Sequence, residues 1–533
     1  MPKPNRNVVW TLIVLSVFIF ALFCLPNSQA SKDFSMLTIF EPDEGAIYTV
    51  VDRMTYPRGT LAESIRHFIR YDFYHYGFPF FGLCSTFAYP IRWLGAFDNT
   101  PLLMLVLRQL ISVLPMIGSF LLLVYMQDGF RTYRSVLLYL LLWVVPASVK
   151  NSMWLHPDGL AFLPSVLVLF CLWKDNLRFK RHFYWAAAVC GVLIATKLIG
   201  LFFFLTILTL LIWGIRDKTL TTKQAINTGL RFILVMGLAF ILANPFVFHF
   251  KALKTYVFTF YKETFEVSKG YALIYPVGIK HAWPEMRESY GESFFLLLSV
   301  ITSVISLKLR RDKLLPALTI TWFIPLTFLF FTTTHFKYQY WLPAVMPLLS
   351  NLIVIFPIPP LKQPRPLLQR VLVPLAVGLL VLQAFLFIKQ DVQMISDQTN
   401  RAQNNPALEF DRLAKAKLAP LDGQYLRVYH DYRMYVPYYQ GWLLTTSFDM
   451  LNNRFIEEGN FDVIMLQHQR IRDYLNPNVT AINQAELDTA REFYRPADQG
   501  IIPGYQLLFE NDFGKLFVRD ALCGQFPGGH CSQ

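Results

Sequence analysis

Charge is scarce in this chain. Of its 533 residues only 16% are Asp, Glu, Lys or Arg while 54% are hydrophobic, and the mean hydropathy is +0.37. That balance excludes a water-soluble globular fold for most of the length. Cysteine is scarce as well, with six residues, four of which (Cys24, Cys84, Cys171, Cys190) lie in or beside apolar stretches and read as packing. There is no internal repeat, no glycine-rich phosphate loop and no Cys/His constellation at metal-ligand spacing. Acid is in deficit, 36 residues against 49 basic ones, for a formal charge of +13. The basic residues do not form one patch or stripe, so nucleic acid is not the expected partner. They sit in short clusters between apolar runs, and such clusters report membrane topology.

What the chain has in abundance is apolar runs. A span needs about 20 mostly apolar residues, and about eleven runs are candidates: 8–25, 102–125, 136–147, 160–173, 184–195, 198–215, 230–248, 294–307, 315–331, 338–356 and 371–388. Several are short and need tilt or interfacial residues to cross. Lys3 and Arg6 precede the first run, and later clusters fall at Arg131 and Arg134, 174–181, 216–223, 308–313 and 362–370. By the positive-inside rule the N-terminus is cytoplasmic, residues 26–100 are outside, and the C-terminus is outside. Ser28-Gln29-Ala30 resembles a cleavage site, but run 8–25 exceeds the about 7–15 residues of a signal-peptide core and reads as an uncleaved first span.

The expected fold is therefore a polytopic α-helical membrane protein. Its transmembrane part covers residues 1–395, with outer loops at 26–100 and 251–292, and the aromatic-rich stretch 74–97 lies along the membrane surface. From Lys389 onward the composition turns polar, and residues 400–533 read as a small extracytoplasmic α/β domain. Strand-like runs at 425–429 and 461–466, a helical pattern at 454–458 and a hairpin turning at Asn511-Asp512-Phe513-Gly514 carry that reading. Cys523 and Cys531 close a short loop in this outer region, where a disulfide would contribute about 2–3 kcal/mol; two unpaired thiols on a frayed tail are the alternative.

Chemistry-bearing residues gather at outer junctions. Glu41-Pro42-Asp43-Glu44-Gly45 opens the first outer loop, with Pro42 at a first helical position and Asp43 and Glu44 in the first turn, where backbone N–H groups favour carboxylates. They either cap the helix or act on a hydroxyl or cation. His156-Pro157-Asp158-Gly159 forms a second junction; Asp158 is a cap or a site carboxylate, and His156 is read as a satisfied interfacial histidine ahead of a metal ligand. Lys197, between two apolar runs, either snorkels or holds a phosphate as a point charge. Residues 332–338, ending Lys337-Tyr338, form a third junction. Carboxylates and cations on one side suit activation of a hydroxyl beside a phosphate leaving group.

An acidic pair after the first span, His-Pro-Asp between the third and fourth, Thr196-Lys197 after the fifth and Lys337-Tyr338 before a Leu-Pro span together resemble the GT-C glycosyltransferases. The likeness is to the bacterial group of protein O-mannosyltransferases and lipid A aminoarabinose transferases, and it covers residues 8–356. The resemblance implies transfer, with inversion, of a hexose or pentose from a polyprenyl-phosphate donor to a lipid, glycan or protein hydroxyl. It implies Asp43 as the catalytic carboxylate with Glu44 beside it, Asp158 with His156 as the second acidic position, and Lys197, Lys337 and Tyr338 at the donor phosphate. Where the family often has Arg-Tyr this chain has Lys337-Tyr338, a point charge in place of a fork. A divalent cation near Asp43 and Asp158 is left open, because some relatives work without metal. The implied location is a bacterial inner membrane with the site facing the periplasm, or an endoplasmic reticulum membrane facing the lumen. Two other readings stand beside it. A lipid-linked sugar flippase is one, for which Arg108 within the second span would be the pathway residue; a non-catalytic assembly subunit is the other.

Overall fold

The computed structural model describes residues 3–265, 273–274, 277–309, 313–332, 336–356 and 367–526. The chain forms two compact units: residues 1–28, 47–265 and 277–399 make the first, and residues 29–46, 266–276 and 400–533 the second.

The first unit is helical. Among the described residues seven helices are long and apolar enough to cross a membrane: Arg6–Gln29, Thr100–Asp128, Pro157–Asp175, Leu198–Arg216, Thr222–Ala243, Leu314–Thr332 and Val371–Asn400. Two bent pairs bring the number to nine. Run 136–147 is one of them, Arg134–Trp143 and Pro146–Ser152, which meet at 67°, because Pro146 supplies no amide for the preceding helix. Run 294–307 belongs to the other, which turns by 83° at Gly291, whose φ of 97° suits a residue without Cβ. Runs 184–195 and 338–356 yield helices of 16 and 12 residues, Arg181–Thr196 and Tyr338–Leu349. At 1.5 Å per residue, 16 residues reach about 24 Å, short of a hydrocarbon core of about 30 Å. The difference from eleven runs is thus one of helix length and bending: the runs are present as apolar helices.

Helix Arg181–Thr196 packs against both Thr222–Ala243 and Pro157–Asp175. A Cβ at Gly191 would come 2.2 Å from the Met236 carbonyl oxygen, so the first of these contacts is backbone to backbone and depends on glycine. Arg108, within Thr100–Asp128, is buried and donates from Nη1 to the Asn27 carbonyl at 3.1 Å.

The second unit is α/β. Its strands are β1 (Leu273–Ile274), β2 (Leu426–His430), β3 (Trp442–Thr445), β4 (Val463–Gln467), β5 (Thr480–Ala481), β6 (Tyr505–Glu510) and β7 (Gly514–Arg519). Five form a mixed sheet in the order β3-β2-β4-β7-β6; β2 runs parallel to β3 and β4, and β7 antiparallel to β4 and β6. β1 and β5 form a separate antiparallel pair. Alternation fills two faces. Val428, Val463, Met465, Leu516 and Val518 meet helix Pro406–Lys417 through Phe410 and Ala414. Tyr429, Ile464, Leu466 and Phe517 pack with Ile471, Leu487, Ala490, Phe493 and Tyr494 of the helices His468–Leu475 and Gln484–Asp498. Central β4, covered on both sides, reads as an unbroken apolar run. The expected hairpin is present, its turn held by Asn511 Oδ1 accepting from the amides of Phe513 at 3.0 Å and Gly514 at 3.2 Å. Cys523 is disulfide-bonded; Cys531 lies outside the described residues.

Candidate functional site

The first unit brings three of the expected site residues together. Pro157 starts helix Pro157–Asp175 with His156 in extended conformation as its N-cap, which places Asp158 in the first turn. Asp158 is fully buried, at 0% exposure. A carboxylate there demands a partner, because an isolated buried charge costs several kcal/mol. Lys197 supplies it: helix Arg181–Thr196 ends when Lys197 turns extended, at φ −154° and ψ 135°, and its Nζ binds Asp158 Oδ1. The other carboxylate oxygen lies 2.5 Å from Nδ1 of buried His156, a close contact that is not aligned as a hydrogen bond.

His156 is fixed on its remaining sides. Its ring stacks on Trp154 at 4.1 Å and 11°, and Ser112 Oγ donates to the Trp154 carbonyl at 2.7 Å. Its Nε2 is 2.9 Å from the Tyr76 hydroxyl. Tyr76 reaches it because the next residue is glycine: the Gly77 amide donates to the Thr196 carbonyl at 3.4 Å, and a Cβ at Gly77 would overlap the Ala195 carbonyl oxygen at 1.4 Å. The Phe78 amide then donates to Asn244 Oδ1 at 3.1 Å. The aromatic stretch after the first span is thus pinned to the helix end that presents Lys197.

The third expected junction joins through aromatic faces. Tyr340 lies under two ammonium groups, Lys197 Nζ at 3.7 Å and Lys337 Nζ at 5.3 Å from its ring centre. Tyr338 has its amide donating to Glu285 Oε1 at 3.1 Å, its carbonyl accepting from the Tyr290 hydroxyl, and Lys150 Nζ 4.2 Å from its ring centre. Residues 333–335 lie outside the described residues. Three lysines on two tyrosine rings therefore face two carboxylates, Asp158 and Glu285. Cations held on aromatic faces are less hydrated than in water and ready to meet an anion.

Tyr76, Gly77, Lys150, Glu285 and Tyr340 did not stand out in the sequence. Only Lys150 carried a signal, being a lysine at the end of an apolar run. Asp43 and Glu44 lie in the second unit. Helix Pro42–Thr55 begins at Pro42 as expected, with Glu44 buried and Asp43 exposed. At the preceding position Glu41 Oε1 accepts from Arg401 Nη1 at 2.8 Å, and Arg401 Nε donates to the Ala30 carbonyl at 3.0 Å.

The donor set does not fit a divalent cation. Among the described residues no three His, Cys, Asp or Glu side chains converge, and Asp158 is engaged by an ammonium and an imidazole.

No family model and no curated protein matches the chain. Solved structures do. Aminoarabinose transferase ArnT from Cupriavidus metallidurans in the apo state matches with a TM-score of 0.53 at 11% identity, over 96% of this chain and 98% of that one. The same enzyme bound to undecaprenyl phosphate gives 0.51 at 9%, over 99% and 100%. The archaeal oligosaccharyltransferase AglB from Archaeoglobus fulgidus, in complex with an inhibitory peptide and a dolichol-phosphate, gives 0.50 at 11%, over 93% and 79%. At such identities the likeness is one of fold. That fold is the GT-C-like membrane fold that the sequence resemblance implied, and the small C-terminal sheet of this chain is what the polar composition after Lys389 predicted.

Proposed function

We propose that this multi-pass membrane protein is a glycosyltransferase that moves a sugar from a polyprenyl-phosphate donor to a hydroxyl on the extracytoplasmic side. The observation that carries this reading is the cluster of Asp158, His156 and Lys197 with Lys337 on Tyr340. Buried charges are costly to hold, and here their partners come from side chains of several segments, the arrangement expected of a site and not of a single helix cap. The fold supports the donor class, since two proteins that share it were captured with undecaprenyl phosphate and dolichol-phosphate.

In this reading the acceptor oxygen attacks the anomeric carbon, the bond to the phosphate oxygen breaks, and polyprenyl phosphate leaves. Lys197 and Lys337 offset the charge that grows on the leaving phosphate, an effect worth about 3–4 kcal/mol when one such donor is well placed. Asp158 and His156 orient Lys197 in place of binding substrate themselves. Asp43 is the carboxylate proposed to take the acceptor proton, with Glu44 beside it, and Tyr338 is proposed to line the donor phosphate. The membrane proposed is a bacterial inner membrane.

The test is transfer of radiolabelled sugar from polyprenyl-phosphate donors into extracted envelope material, with wild type, Asp43→Asn and Lys197→Arg compared. Loss of label transfer in a folded Asp43→Asn variant supports the assignment; transfer equal to wild type removes Asp43 from the mechanism. Wild-type protein that moves labelled donor lipid across vesicles without releasing polyprenyl phosphate would instead make it a flippase.

A further inference from the structure

Helix Pro157–Asp175 carries Asp158 in its first turn, and its other end borders a second feature of the helical unit. Phe170 comes twelve residues after Asp158, about 18 Å farther along the axis. It helps to line a slot of 380 Å³ beside helix Arg6–Leu22, and no acidic or basic residue lines that slot. Val9, Leu12 and Ile13 form one wall, at the i, i+3 and i+4 spacing of a single helix face, and Leu121, Leu122 and Tyr125 form the other. Three rings close its end, Tyr125 lying 5.3 Å from Phe130 and 6.2 Å from Phe170.

The slot exists because helix Arg6–Leu22 is tied along a different side. Ser16 Oγ and the Tyr139 hydroxyl are 2.7 Å apart, and the Asn5 amide donates to the Phe130 carbonyl at 2.9 Å. Ile13 remains 45% exposed. Walls with nothing between them forfeit dispersion contacts, and the filler a bilayer supplies is an acyl chain.

The mouth of the slot is basic. Lys174 Nζ stands 5.5 Å from the centre of the Phe170 ring, Arg131 follows Phe130, and Arg6 follows the Asn5 tied to it; all three are exposed. The acids of the two adjoining turns are spent on holding those turns. Asp128 accepts from the Thr132 amide and hydroxyl, both at 2.9 Å, and from the Ser135 hydroxyl at 2.8 Å, which fixes the turn where Phe130 takes a φ of 58°. Buried Asp175 accepts from the amides of Phe179, Lys180 and Phe183 at 2.6 to 3.2 Å. Membrane orientation needs only the charge of such clusters. An apolar slot between spans with cations at its mouth suits a lipid whose headgroup is anionic.

We propose that the slot binds one anionic phospholipid of the cytoplasmic leaflet, with an acyl chain between Ile13 and Leu122 and the phosphodiester on Lys174, Arg131 and Arg6. The lipid fastens helix Arg6–Leu22 to the bundle. A zwitterionic headgroup would bring its own ammonium among these cations, so net negative charge is selected. The inference does not depend on the transferase reading.

The test is native mass spectrometry of the purified full chain, sprayed from detergent with equal amounts of dioleoyl phosphatidylglycerol and dioleoyl phosphatidylethanolamine. Wild type is compared with Ile13→Trp, Leu122→Trp and Arg131→Gln/Lys174→Gln, each checked for cooperative thermal unfolding before lipid is added. Wild type is expected to retain one phosphatidylglycerol at least tenfold over phosphatidylethanolamine. Each tryptophan fills the slot and is expected to abolish that retention, while the glutamine pair keeps a lipid and loses the preference. The two tryptophans enter from opposite walls, so misfolding of one leaves the other to decide. Retention by a folded tryptophan variant equal to wild type overturns the slot. Equal retention of both lipids by wild type overturns the headgroup assignment. A dimer that Ile13→Trp abolishes would make the occupant a second copy of the chain and overturn the lipid.

Discussion

Each unit of this protein buries an acid against a base, and the two arrangements differ in what surrounds them. In the second unit Asp431, fully buried, accepts from the Gln467 amide at 2.7 Å and the Tyr429 hydroxyl at 3.3 Å. Its partner Arg470, 3.6 Å away, donates to the carbonyls of Ser447, at 2.8 Å, and of Asp449. Arg470 is used mainly on backbone carbonyls and Asp431 on one backbone amide and one hydroxyl, so the pair closes the loop after β3 onto the ends of β2 and β4. In the first unit Asp158 meets side chains, Lys197 and His156, and beyond them Tyr76, Tyr340 and Lys337. Backbone partners make a joint. Side-chain partners from separate segments, resting on aromatic faces, leave groups that substrate can engage.

Removing both members of each pair at once puts that contrast at greatest risk. Asp431→Asn/Arg470→Met strands the carbonyls of half-buried Ser447 and exposed Asp449, and since a fully buried orphaned group costs about 1–3 kcal/mol the loss has an upper bound of about 2–6 kcal/mol. Hydrogen exchange over β2 and β4 in the full chain reads it; protection equal to wild type would mean the pair is not a joint. Asp158→Asn/Lys197→Met removes two charges together and leaves no buried ion alone, so thermal unfolding in detergent is expected to move little. Sugar transfer is expected to fall by about 10²–10³-fold. A large stability loss with transfer intact would reverse the comparison.

A third prediction uses pH. Burial pushes the Asp411 carboxyl up to about 6, against the opposing effects of the Tyr439 hydroxyl, 2.8 Å away, and the nearby Lys415 ammonium. The folded chain thus holds this proton more tightly than the unfolded chain, whose carboxyl titrates near 4. The contribution is fully present below about pH 4 and is lost as pH rises to about 6, with an upper bound of about 3 kcal/mol. Exchange rates in helix Pro406–Lys417 should rise across that window, and Asp411→Asn should flatten the slope. The smallest effect is expected at Lys337, whose ammonium lies farther from the shared Tyr340 ring than that of Lys197. Lys337→Met should cost about tenfold in transfer, near 1.4 kcal/mol; a loss matching the Asp158/Lys197 pair would shift the weight of phosphate binding to Lys337.

Much of this was legible in the order of residues. Pro157 after His156 and before Asp158 announces a helix start with an acid in its first turn, and a lysine alone between apolar runs announces Lys197. Pro42 with Ile47, Val50 and Val51 at helical spacing announced a helix whose apolar face is buried. Periodicity could not say which of two adjacent acids points inward, and it is Glu44, not Asp43, that is buried. Nor could it single out Glu41, whose arginine partner lies 360 residues away. Tyr76 and Tyr340 were hidden among many aromatics of similar setting.

Composition and periodicity depend on neighbours along the chain, and they determined that this protein lives in a membrane, where the junctions between its apolar runs lie, and that a polar α/β segment follows the last of them. Only the tertiary structure decided which junctions share a site. That choice rests on contacts such as Gly77 against the Ala195 carbonyl and Lys197 against Asp158, made between segments distant in sequence. Each exists because a buried charge or a close backbone approach admits one partner, and nothing local in either segment specifies the other.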